Sequence, residues 1–236
     1  MKNEKMLERV HELAAMLEGE DLERFDYYRK NPDVLSGPYA YGAPAILAGL
    51  IRDLERDINA DACRAAGKLD ALKAAGRVIK SAAATKKEAL QGAWMVGDRQ
   101  YMCDGFRAFR LLEPLPGLPA IRDGLEPLDV DRCMDPAREN SMRLELPTLA
   151  AVKAHIKTET ARRKAAGIKK AALVVWDFGE GLPMVNARYL VDALEILPGC
   201  TCRISSSRPE LGGLYLESAA GDGLLMAVNK KAHRSA

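Results

Sequence analysis

Residues 4–18, EKMLERVHELAAMLE, place Met6, Leu7, Val10, Leu13, Ala14 and Leu17 on one stripe with charges opposite. That period predicts an amphipathic helix closed by Gly19. A short second helix is expected over 20–30, stopping before Asn31-Pro32. SGPYAYGAP (36–44) reads as a glycine- and proline-rich loop. Ile46, Leu47, Leu50, Ile51, Leu54 and Ile58 then form the apolar face of a third helix over 45–58. From residue 61 the texture changes. A long helix is predicted over 61–83, then strands at 92–96, 99–103 and 106–112, with turns at Gly97-Asp98 and Asp104-Gly105. Residues 113–147 are proline-rich and read mostly as loop. A helix at 148–166, a strand at 171–177 and a helix at 187–197 follow. Three more strands, at 200–206, 213–218 and 223–228, are separated by Arg208-Pro209 and Gly221-Asp222-Gly223.

These elements divide the chain into a helical N-terminal appendage (1–60) and one larger domain (61–236) with a proline-rich crossover at 113–147. The larger domain repeats a rhythm in which a helix feeds a run of antiparallel strands. The fold class is α+β, with helices expected on one face of the sheet. Hydrophobic residues make up 48% of the chain and charged ones 29%, enough for a core. The net charge of +2 hides an asymmetry: residues 1–60 carry 8 Lys and Arg against 12 Asp and Glu, and the remainder carries 27 against 21. Such halves suit different partners. The five cysteines lack the even number and regular spacing of a disulfide framework, and Cys200-Thr201-Cys202 has no second ligand pair for zinc. They read as small buried residues of a cytoplasmic protein. No apolar run approaches the length needed to cross a bilayer, and no signal-peptide core is visible.

Asp177-Phe178-Gly179 matches the magnesium-binding triplet of protein kinases. A kinase also needs a glycine-rich phosphate loop and an H-R-D catalytic loop upstream. Residues 1–173 carry neither, and none of His11, His155 and His233 is followed by Arg-Asp. The triplet therefore reads as the end of a strand, ALVVWDF, and GEGLP as the turn after it. Asp177 and Glu180 are a pair able to hold a metal ion, with nothing nearby to complete the shell. No Ser/His/Asp order, metal cluster or phosphate loop appears, so no enzyme and no cofactor are expected.

Three segments together resemble the bacterial DNA polymerase sliding clamp, the beta clamp. MCDGFRAFRL (102–111) is similar to the family's T-D-G-H-R-L hairpin. VNARYLVDALEIL (185–197) is similar to its F-N-x-x-Y-L-x-D-x-L strand end and helix. GDGLLMAV (221–228) is similar to its terminal strand. Phe106 replaces the histidine of the first motif and Ala227 the proline of the third. The resemblance implies a single clamp-like domain where bacterial clamps carry three, an arrangement suited to a phage or mobile-element replication accessory protein. It further implies a hydrophobic pocket for short linear motifs, lined by Gly105, Phe106, Arg107, Asn186, Tyr189, Met226 and Val228. A pliant methionine and apolar walls suit leucine and phenylalanine side chains, while Arg107 and Asn186 would fix the peptide backbone. On the residues alone, Asn186 is equally a helix N-cap, Tyr189 and Met226 core, and Gly105 a turn residue.

The family also threads DNA past basic helices. Lys73, Arg77 and Lys80 share a helical face, and Lys153, Lys157, Arg162 and Arg163 crowd a second stretch that continues to Lys169 and Lys170. Such stripes follow phosphates without reading sequence, though they are also what a solvated helix face looks like. The expected function is thus non-enzymatic tethering of a DNA polymerase or another replication protein. Contact with double-stranded DNA is a secondary expectation, and several copies of a one-domain chain would be needed to close a ring. Two rivals stand beside it: an adaptor that never touches DNA, and a small-molecule enzyme with an unrecognised site around 104–107 and 177–192.

Overall fold

The computed structural model describes residues 2–17, 43–85, 87–167 and 173–228. The helix expected at 20–30, most of the 36–44 loop, Lys86, Lys169, Lys170 and the start of the 171–177 strand lie outside the described residues. The chain divides into two compact units after Leu69, not at residue 60.

The first unit contains α1 (Lys2–Leu17) and α2 (Ala43–Ala65), which pack together. Val10 and Leu54 are buried, whereas Met6, Leu13 and Leu50 on the same stripes stay more than a third exposed. The long helix expected at 61–83 is two helices. α2 runs from 43 through 65, and α3 (Leu69–Ala83) starts afresh. Gly67 makes the break. It takes φ +69°, its N–H donates to Arg64 O, and the Lys68 N–H donates to Cys63 O at 2.7 Å. This five-to-two and six-to-one pairing is a Schellman cap, for which glycine at the left-handed position is the usual residue.

The second unit is built on a seven-stranded antiparallel sheet: β1 (Trp94–Val96), β2 (Arg99–Cys103), β3 (Arg107–Leu111), β4 (Met142–Leu144), β7 (Thr201–Ile204), β8 (Leu214–Ser218) and β9 (Gly221–Leu225). Its order is β1-β2-β3-β9-β8-β7-β4. A separate hairpin pairs β5 (Val175–Asp177) with β6 (Met184–Asn186). The remaining helices are α4 (Asp131–Arg138), α5 (Leu149–Ala165) and α6 (Ala187–Ile196). The rhythm expected from the sequence is present as a doubled unit. α3-β1-β2-β3 and α6-β7-β8-β9 are each a helix followed by a three-stranded meander, and their last strands pair centrally, Phe109 opposite Gly223.

Alternation along the strands gives the sheet two apolar faces. Met102, Phe109, Leu111, Cys202, Ile204, Leu214, Leu216 and Leu225 share one core with Ala74, Ala75 and Val78 of α3 and Leu190, Ala193 and Ile196 of α6. Val152 of α5 joins that core. Tyr101, Cys103, Ala108 and Leu224 point the other way and pack with Val130 and Met134. Helices therefore cover both faces, not one, because α4 lies on the second.

The crossover 113–147 contains two elements the sequence reading passed over, α4 and β4. Prolines hid them: Pro136 lies inside α4, where it can donate no backbone bond. Met134, fully buried, holds the helix down regardless. The stretch before it is fastened by Gln100, whose side chain donates to Leu115 O at 3.1 Å and accepts from Leu115 N at 2.9 Å. Gly221-Asp222-Gly223, expected as a turn, lies inside β9. A Cβ on Gly221 would lie 2.2 Å from Arg110 O, and one on Gly223 2.8 Å from Phe109 Cδ1. These glycines permit β3 and β9 to approach closely.

Candidate peptide-binding ledge

The three distant segments singled out in the sequence meet at one place. Asp104 and Arg107 close the β2–β3 hairpin through Asp104 N–H to Arg107 O, 3.1 Å, leaving Gly105 and Phe106 as a two-residue loop. Gly105 takes φ +88° at the first loop position, where type II′ hairpin turns carry glycine. Phe106, 54% exposed, points its ring at Tyr189, with centroids 6.3 Å apart. Beyond β9 the chain passes the same loop: Met226 N–H donates to Phe106 O at 2.9 Å, and Val228 N–H donates to Met184 O at 2.7 Å. Met226 is 46% exposed. Asn186 caps α6, its side chain accepting from Arg188 N–H at 3.0 Å.

Phe106 and Tyr189 thus form a small apolar ledge, Tyr189 partly buried against the core, along which the backbone of Met226 and Val228 runs. Asn186 serves as the helix cap, one of the two roles the sequence left open. Arg107 departs from expectation. It is 3% exposed and faces inward, so its donors do not reach a surface ligand. Its Nε donates to Asp104 Oδ2 at 2.9 Å and its Nη1 to Asp192 Oδ2. Its guanidinium lies 4.1 Å from the centroid of the Tyr189 ring, in cation–π range. Asp104 Oδ1 also accepts the Phe106 and Arg107 N–H groups, at 2.9 and 3.0 Å. The other Asp192 oxygen takes Arg77 Nε at 2.6 Å, and Arg77 also donates to Glu195. Burial alone would weaken the proton affinity of Arg77, but Asp192 and Glu195 outweigh it and push its pKa up.

Asp104 and Asp192 were not recognised in the sequence as partners of the site. A signal existed for Asp192: it is an acid three residues after Tyr189, between Leu190, Val191 and Ala193, on a helix face otherwise apolar. Nothing in the sequence pairs it with Arg107 across 85 positions.

Most of the basic stripe residues have partners, though Arg77, Lys153 and Arg162 stay about half exposed or more. Arg77 is engaged as described, Lys153 Nζ lies 2.6 Å from Glu195, Arg162 Nε lies 3.0 Å from Glu159, and Arg163 donates to Leu173 O at 3.0 Å. Lys73, Lys80 and Lys157 are exposed and make no ion pair with another described residue.

Asp177-Phe178-Gly179 closes the strand β5. Asp177 Oδ1 accepts Gly179 N–H at 3.0 Å, a turn interaction. Among the described residues no cluster of three or more His, Cys, Asp or Glu is placed to hold a metal ion, and Glu180 does not build one with Asp177. No described helix is long and apolar enough to cross a membrane. The cysteine reading holds for Cys63, Cys103 and Cys202, which are buried, but not for Cys133, which is exposed on α4. Burial pushes the thiols of Cys200 and Cys202 up to about 11 and about 12.

No protein-family model, curated protein or solved structure matches this chain.

A second charged cluster occupies the opposite face of the sheet. Arg110 donates to Asp222 through Nε at 2.9 Å, and through Nη1 to Asp131 at 2.9 Å and Asp135 at 2.7 Å. Tyr215 OH donates to Asp222 Oδ2 at 2.6 Å. Burial pushes Asp222 toward its neutral form, but Arg110 and Tyr215 prevail and hold its pKa below the ordinary 3.8. The same carboxylate, after burial, keeps the Tyr215 hydroxyl protonated well above its usual range.

Proposed function

We propose that this chain is a non-enzymatic tethering protein of the sliding-clamp type, and that the ledge captures a short linear motif of a polymerase or another replication protein. One observation carries the reading. Segments 102–111, 185–197 and 221–228, remote in sequence, meet at the Phe106 loop: the Phe106 ring lies against Tyr189, and the Met226 backbone bonds to Phe106 O, with Phe106 and Met226 about half exposed. Large apolar side chains exposed together, over a rigid hairpin and a capped helix, suit a ligand with leucine or phenylalanine anchors. The doubled helix–meander topology supports the same reading. Three exposed lysines, Lys73, Lys80 and Lys157, remain for duplex DNA. Since the other four basic side chains are engaged within the fold, an adaptor acting without DNA is the competing reading.

Anisotropy with a fluorescent Q-L-x-L-F peptide tests the ledge. Micromolar binding is expected, lost by about tenfold or more in Phe106→Ala and Tyr189→Ala, since each removes a large aromatic contact. No binding by folded protein up to millimolar peptide rejects the reading. Retention of labelled duplex DNA, weakening as salt rises, would separate the clamp from the adaptor.

A further inference from the structure

Beneath the ledge lies a chain of buried charges that the peptide never needs to touch. Asp104 is fully buried, Arg107 is 3% exposed and Asp192 5% exposed. Each is bound to the next: Asp104 Oδ2 takes Arg107 Nε at 2.9 Å, and Asp192 takes Arg107 Nη1. The two aromatics of the ledge, Phe106 exposed and Tyr189 partly buried against the core, hang from this chain by different attachments. Phe106 is held through its backbone, whose N–H goes to Asp104 Oδ1 at 2.9 Å. Tyr189 is held through its ring, against which the Arg107 guanidinium lies at 4.1 Å. A guanidinium with carboxylates at Nε and Nη1 has its plane fixed, and a fixed plane fixes the ring stacked on it.

We propose that Asp104, Arg107 and Asp192 are positioning residues for peptide capture: they set the angle between Phe106 and Tyr189, and so the shape of the ledge, without meeting the ligand. This rests on the peptide-capture reading. A burial argument favours it over simple stabilisation. Ionic groups this deep cost desolvation that an apolar core would avoid, and in several proteins such groups serve to specify one geometry. Here the geometry they specify is that of one exposed ring, Phe106, and one partly buried ring, Tyr189. The Asp192–Arg77 bond extends the hold to α3, so that the ledge is referenced to both halves of the doubled fold.

The test uses the full chain with Asp192→Asn, which keeps shape and removes charge, and Arg107→Lys, which keeps charge and removes the flat stacking surface. Uniform 3-fluorotyrosine labelling reports Tyr189, its 19F line assigned by Tyr189→Phe. Both variants should be studied well below their melting temperatures, where circular dichroism shows native content. The expected result is peptide affinity about tenfold weaker in each variant, with the Tyr189 line displaced, because pre-organisation is lost while the contact groups remain. A purely stabilising role would lower the melting temperature and leave the affinity of the folded protein unchanged. Unchanged affinity in both variants, with wild type binding, overturns the proposal. If wild type itself binds no peptide, the capture reading fails separately. The Tyr189 line then decides: an unmoved line overturns the positioning role, and a displaced line upholds it.

Discussion

Arg107 and Arg110 lie three residues apart on one strand and face opposite sides of the sheet. Both are buried, both are neutralised by carboxylates, and both carry a tyrosine in their network. Around them the molecule differs. The Arg110 cluster is buried at its centre and wet at its rim: Tyr215 is 1% exposed, while Asp131 and Asp135, by which α4 is tied to the sheet, are 39% and 62% exposed. The Arg107 cluster is open at one end, where Tyr189 and Phe106 emerge at the surface. Burying an ion pair is a poor way to gain stability, so each cluster is better understood by what it holds still. One holds the crossover helix. The other holds a ledge.

The largest expected effect tests the Arg110 cluster. Arg110→Met leaves the buried carboxylate of Asp222 without its cation, and breaking a buried pair costs about 3–5 kcal/mol, the exposed Asp131 and Asp135 adding little. Urea unfolding should show that loss, with α4 the first segment to exchange its amides. A loss below about 1 kcal/mol, the range of a surface pair, would remove the distinction between the clusters.

A smaller effect should appear in acid. Asp222 has its folded pKa depressed below 3.8 by Arg110 and Tyr215 against the opposing pull of burial. Its contribution is therefore fully present above its unfolded pKa, and is lost as pH falls through the folded value. Asp222→Asn should be less stable than wild type by about 1.5–3 kcal/mol at neutral pH, the worth of a charged hydrogen bond. The gap should close below pH 3.8. A gap independent of pH would mean that the carboxylate charge contributes nothing.

The smallest effect concerns the rim of the open cluster. Arg77 is half exposed, at 47% of its side chain, so solvent screens its bonds to Asp192 and Glu195. Arg77→Gln should cost no more than about 1 kcal/mol. Thermal melts would measure it, and a cost as large as that of Arg110→Met would make the two clusters equivalent.

Most strands were legible because alternation of apolar and polar residues and Gly-containing turns are local signals. The strands observed at 94–96, 99–103, 107–111, 201–204 and 214–218 fall inside or on the ranges expected, as do α5 and α6. What was not legible depended on distant partners. α4 is a short polar helix containing a proline, and it exists where Arg110 and the core receive Asp131, Asp135 and Met134. Asp222 looked like a turn residue because glycines flank it; its partner lies 112 positions away. At the ledge, the Asn186 cap was readable from its place before the helix. The inward turn of Arg107 was not, because the acid that captures it belongs to another element.

Three short stretches make the division plain. RAAGK (64–68), KAAGR (73–77) and KAAGI (164–168) are nearly the same sequence. Gly67 and Gly167 both take positive φ and end helices, as an alanine run followed by glycine permits by itself. Gly76 stays within α3. There, Ala74, Ala75 and Val78 are fully buried against the sheet, and Arg77 is bound to Asp192 and Glu195 of α6. Local chemistry by itself determined that these segments favour helix and that each glycine is a place where a helix can stop. Whether it does stop was decided by tertiary packing, since burying a helix face and engaging its arginine outweigh the roughly 1 kcal/mol that an interior glycine costs.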